Sequence, residues 1–211
     1  MFMKILISFV LVFFSVGCTS VPDIQEHTPS LYEEIIAMLT ELETYKAAAQ
    51  ISYISNRNIN QYDTLKAVTA EGHYFIEVTA PEHLAGNITI SDTTAIHQFN
   101  RSLNKSVYLG AQDTTERTSL LLTNFAYLYL NAAQGQTNAV ENDGITILTV
   151  PLQSQNPYMA TLRLTVGIND DKELRPISLI TYDINDDQRI VVNYLQFYHN
   201  IELDMSIFSF D

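Results

Sequence analysis

From about residue 46 to near the C-terminus, apolar side chains recur at every second position. No other feature of the chain constrains its fold as much. Ala49, Ile51 and Tyr53 alternate with Gln50 and Ser52, and Leu65 and Ala67 with Thr64 and Lys66. Tyr74, Ile76 and Val78 alternate with His73, Phe75 and Glu77, and Ile88 and Ile90 with Asn87 and Thr89. Leu162, Leu164, Val166 and Ile168 alternate with Thr161, Arg163, Thr165 and Gly167. Successive side chains of a strand point to opposite faces, so each run predicts an antiparallel strand with one drier face. Ile145 to Leu152 is apolar on both faces, and Leu174–Tyr182 and Arg189–Phe197 read as further strands. Asn56–Asn60, Ala70–Gly72, Asn169–Lys172 and Asp183–Asp187 carry the turn chemistry between them.

Two segments break the alternation. From Ser30 to Lys46 the pattern is helical: Leu31, Ile35, Met38, Leu39 and Leu42 form one apolar face. Ser30 and Glu33 have the spacing of a capping box. A second helix is expected from Asp113, a capping residue, to about Gln134–Gly135. Its Leu120, Leu121, Leu122, Phe125, Ala126, Leu128, Tyr129 and Leu130 leave almost no polar face, so it must be buried against the sheet or lie in a groove. The expected fold class is therefore α+β and mainly antiparallel. A single curved, unclosed half-barrel of about ten or eleven strands would wrap around helices on its concave side. Sheets of that many strands must curl or close.

The N-terminus is a separate matter. Lys4 precedes an apolar run from Ile5 to Val16, which fits the core of a signal peptide and is too short to span a bilayer. Ser15-Val16-Gly17-Cys18 resembles the lipobox of bacterial lipoproteins, with Ser15 standing where Leu is usual. That resemblance implies cleavage before Cys18 and its acylation; the alternative is a plain secretory signal with an incidental Cys. The expected division is a signal peptide over 1–17, a lipidated Cys and flexible tether over 18–29, and one domain over 30–211. The mature protein would be extracytoplasmic and anchored to the cell membrane through Cys18, since each buried CH₂ of an acyl chain contributes about 0.8 kcal/mol.

Acidic residues number 24 against 11 basic ones, a net charge of -13. Phosphate binding needs a basic surface, so a nucleic-acid partner is excluded. A single Cys excludes a disulfide framework and a multi-thiolate zinc site. The five histidines are scattered without metal-ligand spacing, and no metal or cofactor is expected. Asp183–Asp187 begins like a calcium loop, but Gln188 occupies the position that needs Gly and Tyr194 the one that needs Glu. A hairpin turn explains it better. Nucleophile elbow, phosphate loop and dinucleotide fingerprint are all missing. The 12 tyrosines sit at strand and helix spacing, which favours core over ligand box, and a sugar cleft would usually use Trp, of which there is none.

Five stretches in order resemble a known family: Val78–Asn87, Gln98–Asn104, Asn156–Thr161, Leu174–Ile177, and Arg189–Tyr194 followed by Glu202–Asp204 and Phe208. They are similar to the LolA/LolB-like lipoproteins, the outer-membrane lipoprotein-sorting family, and in particular to the germination-lipoprotein branch of Gram-positive spore formers. The resemblance implies a half-barrel around helices and no catalysis. In the family proper it implies acyl chains held on the concave face. In the germination branch it implies support of a cortex-modifying amidase. No site residue carries over from it. From alternation alone, Ile51, Tyr53, Leu65, Ile76, Ile88, Leu162 and Leu164 are expected to face the concave side, with Leu121 and Phe125 packing onto it.

Three functions compete on this evidence. The half-barrel binds acyl chains or another long apolar ligand; or the acidic domain is a scaffold for an extracytoplasmic partner such as a cell-wall hydrolase; or the chain is a two-carboxylate glycosidase. With 24 acids, some pair will stand close by chance, so the last has least support.

Overall fold

Eleven strands pair in one antiparallel sheet in the computed structural model, which describes residues 29–92, 94–110, 115–169 and 171–209. The first six are β1 (Thr44–Ile54), β2 (Ile59–Thr69), β3 (Tyr74–Ala80), β4 (Ile88–Ser91), β5 (Ile96–Asn100) and β6 (Lys105–Tyr108). The remaining five are β7 (Asn138–Asn142), β8 (Ile145–Pro151), β9 (Thr161–Ile168), β10 (Leu174–Tyr182) and β11 (Gln188–His199). Their spatial order is β6-β5-β4-β3-β2-β1-β11-β10-β9-β8-β7. Each half is thus a simple meander, and the first and last strands join the halves in the middle. β6 and β7 end the sheet without pairing to each other, so the barrel stays open, as the strand count and alternation led us to expect. Register shifts at Ala48/Ala49, Asp63/Thr64, Pro176/Ser178 and Thr181/Tyr182 interrupt the ladders. Such bulges increase local twist and bend the strand.

Among the described residues three α-helices accompany the sheet: α1 (Leu31–Thr40), α2 (Thr115–Thr118) and α3 (Leu122–Leu130). The capping box at Ser30 and Glu33 is present in full. α1 ends well before Lys46, however. Thr44 onward pairs with β2 and Tyr45 onward with β11, and two ladders of hydrogen bonds outweigh a few residues of helical periodicity. The second expected helix is two helices, broken at Ser119–Leu121. Its expected cap Asp113 lies outside the described residues, as do the signal segment 1–17, Cys18 and the tether up to residue 28.

Ile35, Met38 and Leu39 of α1 and Leu122, Phe125, Ala126 and Tyr129 of α3 pack into one core with the inward residues of β1 and β8–β11. A second, smaller core forms on the opposite face of the sheet. There Ala67 and Ile90 meet Leu203 and Phe208 of the C-terminal segment, with Ile88 and Phe75 packed alongside. Part of the sheet is therefore dry on both faces. Asp183–Asp187 is the β10–β11 turn, as expected, with Asp183 accepting from the N–H groups of Asn185 and Asp187.

Candidate functional site

Register fixes which side chains share the concave face. Ile51 pairs with Tyr62, Ala49 with Thr64, and Ala47 with Lys66; then Thr64 pairs with Val78, Lys66 with Ile76, and Val68 with Tyr74. The row continues through Ile76–Thr89 and Thr89–Gln98 to Val107. On the other half it runs through Val192, Leu179, Leu164 and Leu148.

The two halves of this face differ. The half built from β8–β11 is filled by α1 and α3, and Leu162, Leu164, Leu148, Val192, Leu122 and Phe125 are buried there. Over β2–β6 the face opens into a groove. One compartment, of about 270 Å³, is walled by Ile51, Tyr62, Tyr74, Ile76 and Leu120, with Arg117 also lining it. The adjoining compartment, of about 440 Å³, shares Tyr62, Ile76, Val78, Thr89 and Gln98 with it and continues to Leu84, Leu103 and Val107. Apolar side chains dominate the lining. Thr64, Thr89 and Gln98 interrupt them along the groove, and Asn87, Asn100 and Lys105 do so at its outer end. Ligand sites are commonly concave, mostly apolar clefts of roughly 300–1,000 Å³ with few polar groups. Among the described residues no group of three His, Cys, Asp or Glu could hold a metal ion.

The broken helix closes the inner end of the groove, and two strand residues hold the break. The Tyr45 hydroxyl accepts from the Leu122 N–H at 3.2 Å, and Lys66 Nζ donates to the Leu120 carbonyl at 3.0 Å. Both the N–H and the carbonyl would otherwise be buried orphans of a helix end. Lys66 is only 2% exposed, and no ion pair reaches it among the described residues. Burial lowers its ammonium to about 7. Burial likewise pushes the Tyr45 hydroxyl well above its ordinary range, against the lesser opposing effect of its bond to Leu122.

Of the residues expected on the concave side, Ile51, Leu162, Leu164, Leu121 and Phe125 are in the main core, and Tyr53 and Ile76 pack against it from the groove. One is misplaced. Leu65 is 47% exposed and points outward, because its neighbours Thr64 and Lys66 take the inward positions. Ile88, paired with Glu77 and Phe99, packs under the C-terminal segment and also lines the outer compartment of the groove. Alternation gives the period of a strand, whereas its phase is set by register with neighbouring strands. Tyr62, Thr89, Gln98 and Arg117 also line the groove and were missed by pattern: Thr89 read as the polar side of its run, and the other three were assigned no face. Cys18 lies outside the described residues.

An open antiparallel half-barrel, filled by helices on one side and grooved on the other, defines the class of fold. By sequence, residues 2–208 match the family model described as sporulation protein YdcC-like, and the chain belongs to that family. No curated protein sequence matches the chain. Similar solved structures include an uncharacterized conserved protein from Thermus thermophilus, at 11% identity and a TM-score of 0.49, over 84% of this chain and 91% of that one. A chain of the structure of the CwlD amidase from Clostridioides difficile in complex with the GerS lipoprotein gives 18% identity, a TM-score of 0.46, and coverage of 84% and 100%. LolA superfamily protein NE2245 from Nitrosomonas europaea gives 11%, 0.46, and coverage of 85% and 96%.

Proposed function

We propose that this YdcC-like protein is a non-catalytic, extracytoplasmic lipoprotein, anchored through acylated Cys18, that holds an acyl chain or similar apolar ligand in the groove over β2–β6. The observation that carries this reading is the asymmetry of the concave face. The same sheet is packed solid against helices on one half and left as an apolar groove on the other. A second reading rests on a different observation. On the outer face Val140, Ile145, Ile147 and Ile177 are exposed near the edge strand β7. That patch would suit a protein partner, such as a cell-wall amidase acting in sporulation, and apolar patches of this kind mark interaction sites.

One experiment separates the two. Residues 19–211, which contain every described element, are sprayed natively after gentle purification. An adduct of fatty-acid or phospholipid mass, lost in Ile76→Asp, is expected if the groove is the site. A clean protein mass, unchanged when the protein is first incubated with a fatty acid, overturns ligand holding and leaves the scaffold reading.

A further inference from the structure

At one end of the sheet, away from the helices, lies a larger cavity of about 570 Å³ whose chemistry differs from that of the groove. It is bounded by the β1–β2 turn, the β8–β9 loop and the start of β11, and its lining includes four asparagines: Asn56, Asn58, Asn60 and Asn156. Arg57, Arg189, Tyr53 and Tyr158 also line it, and no acidic residue does. Two arginines and no acid line it in a chain of net charge -13, but Asp183 and Asp187 both pair with Arg189, so Arg57 is the lining's one uncompensated charge among the described residues.

The walls are tied together. Arg189 donates through Nε to Asp183 Oδ2 at 2.8 Å, through Nη2 to the same carboxylate, and through Nη1 to Asn56 Oδ1 at 2.9 Å. Its guanidinium carbon lies 5.1 Å from the centre of the Tyr158 ring. Burial alone would raise the Asp183 carboxyl; Arg189 and the N–H groups of Asp187 and Asn185 overcome this and hold it below its ordinary value. Ile184 N–H donates to the Pro157 carbonyl, which clamps the β8–β9 loop to the β10–β11 turn. The β1–β2 turn is locked by the Ser55 hydroxyl, which accepts from Asn58 N–H and donates to its carbonyl. These bonds are structural and use up Arg189. They leave the Asn56 NH₂ and the Asn58, Asn60 and Arg57 side chains with no partner among the described residues, while Tyr158 is 53% exposed.

We infer that this pocket binds an oligosaccharide of amido sugars, with a carboxylate of the glycan at Arg57. Amide side chains can both donate to and accept from hydroxyl and acetamido groups. The exposed tyrosine offers a flat apolar face to the C–H side of a sugar ring, doing with Tyr what a Trp cleft does elsewhere. Arg57 supplies a charged, forked donor for carboxylate. A peptide fits less well. Extended peptides are commonly bound by adding a strand to a free sheet edge, and β1, β2, β10 and β11 are all interior strands paired on both sides.

The test is a titration of ¹⁵N-labelled residues 19–211, followed by backbone and Asn side-chain NH₂ resonances. Three probes are used: chitotriose, a hyaluronan tetrasaccharide, which adds carboxylates to the acetamido groups, and tri-alanine. Both glycans are expected to give saturable shifts confined to residues 53–60, 156–159 and 189–190, the carboxylated one at lower concentration. Tyr158→Ala is expected to weaken both by about tenfold, and Arg57→Ala to remove only the advantage of the carboxylated probe. Both side chains are exposed, and an unchanged spectrum elsewhere confirms folding. Ile76→Asp in the groove leaves glycan binding unchanged, so failure here and failure of the apolar-ligand reading are separate results. No saturable shift with either glycan, shifts with tri-alanine alone, or equal affinity of Tyr158→Ala overturns the inference.

Discussion

Lys66 stands opposite Ala47 on β1 and Ile76 on β3, and the small Ala leaves room for its stem to run beneath the helix break. Its ammonium is removed from water with one carbonyl for company, so folding favours the neutral form. The unfolded chain holds a proton there up to its ordinary value of 10.5, the folded chain only to about 7. Stability is therefore full above the unfolded value and is lost as pH falls toward the folded one. Denaturant-derived stability is expected to rise from pH 7 to pH 9.5, with an upper slope of about 1.4 kcal/mol per pH unit. Lys66→Met should flatten that rise. Parallel profiles for the two proteins would show that the buried amine does not titrate in this window. A lysine between apolar positions reads in the sequence as the wet side of its strand, which is why Leu65 and not Lys66 looked inward. Hydropathy ranks the two faces of β2 by average composition, whereas the cross-strand partners Ala47 and Ile76, distant in sequence, decide which face is dry.

Among the elements, the strands were the most legible in the sequence, because period two survives for most of the chain and every turn carries Gly, Asn or Asp. The helices were legible in existence and not in extent. The nearly all-apolar segment from Leu120 to Leu130 announces burial, yet the break at Ser119–Leu121 depends on Tyr45 and Lys66, two residues of strands far upstream. The groove was legible only in part: Ile51, Tyr53 and Ile76 were expected on that side of the sheet, but its position, where α3 fails to cover β2–β6, and its Thr, Gln and Arg lining were not. The importance of the break can be measured on α3 itself. Tyr45→Phe leaves the Leu122 N–H buried without its acceptor, at a cost of about 1–3 kcal/mol. Amide exchange is expected to quicken in α3 and the inner end of the groove while β8–β10 keep their protection. Uniform exchange across the molecule would mean that the hydroxyl contributes nothing local.

At the scale of the whole molecule, charge and anchor act in opposite senses. A body with 24 acids and 11 bases is not drawn to anionic lipid by its charge, so retention at a membrane falls to the acyl chains proposed on Cys18. Among the described residues no helix is long and apolar enough to cross a membrane. Cys18→Ala is accordingly expected to move the protein from the membrane fraction to the soluble extracytoplasmic fraction with an unchanged circular dichroism spectrum. Continued sedimentation with membranes would place the anchor elsewhere.

The pairing of β1 with β11 at the centre of the sheet sets an order of events. The middle of the molecule is closed by the strand that leaves the ribosome, and any export channel, last. Each meander can form its hairpins as it emerges, but the two halves have no seam until residues 188–199 arrive. Contacts this distant in sequence make for slow, late consolidation. A chain that stays unconsolidated until its last strand is delivered is one that can be threaded through a membrane before it folds.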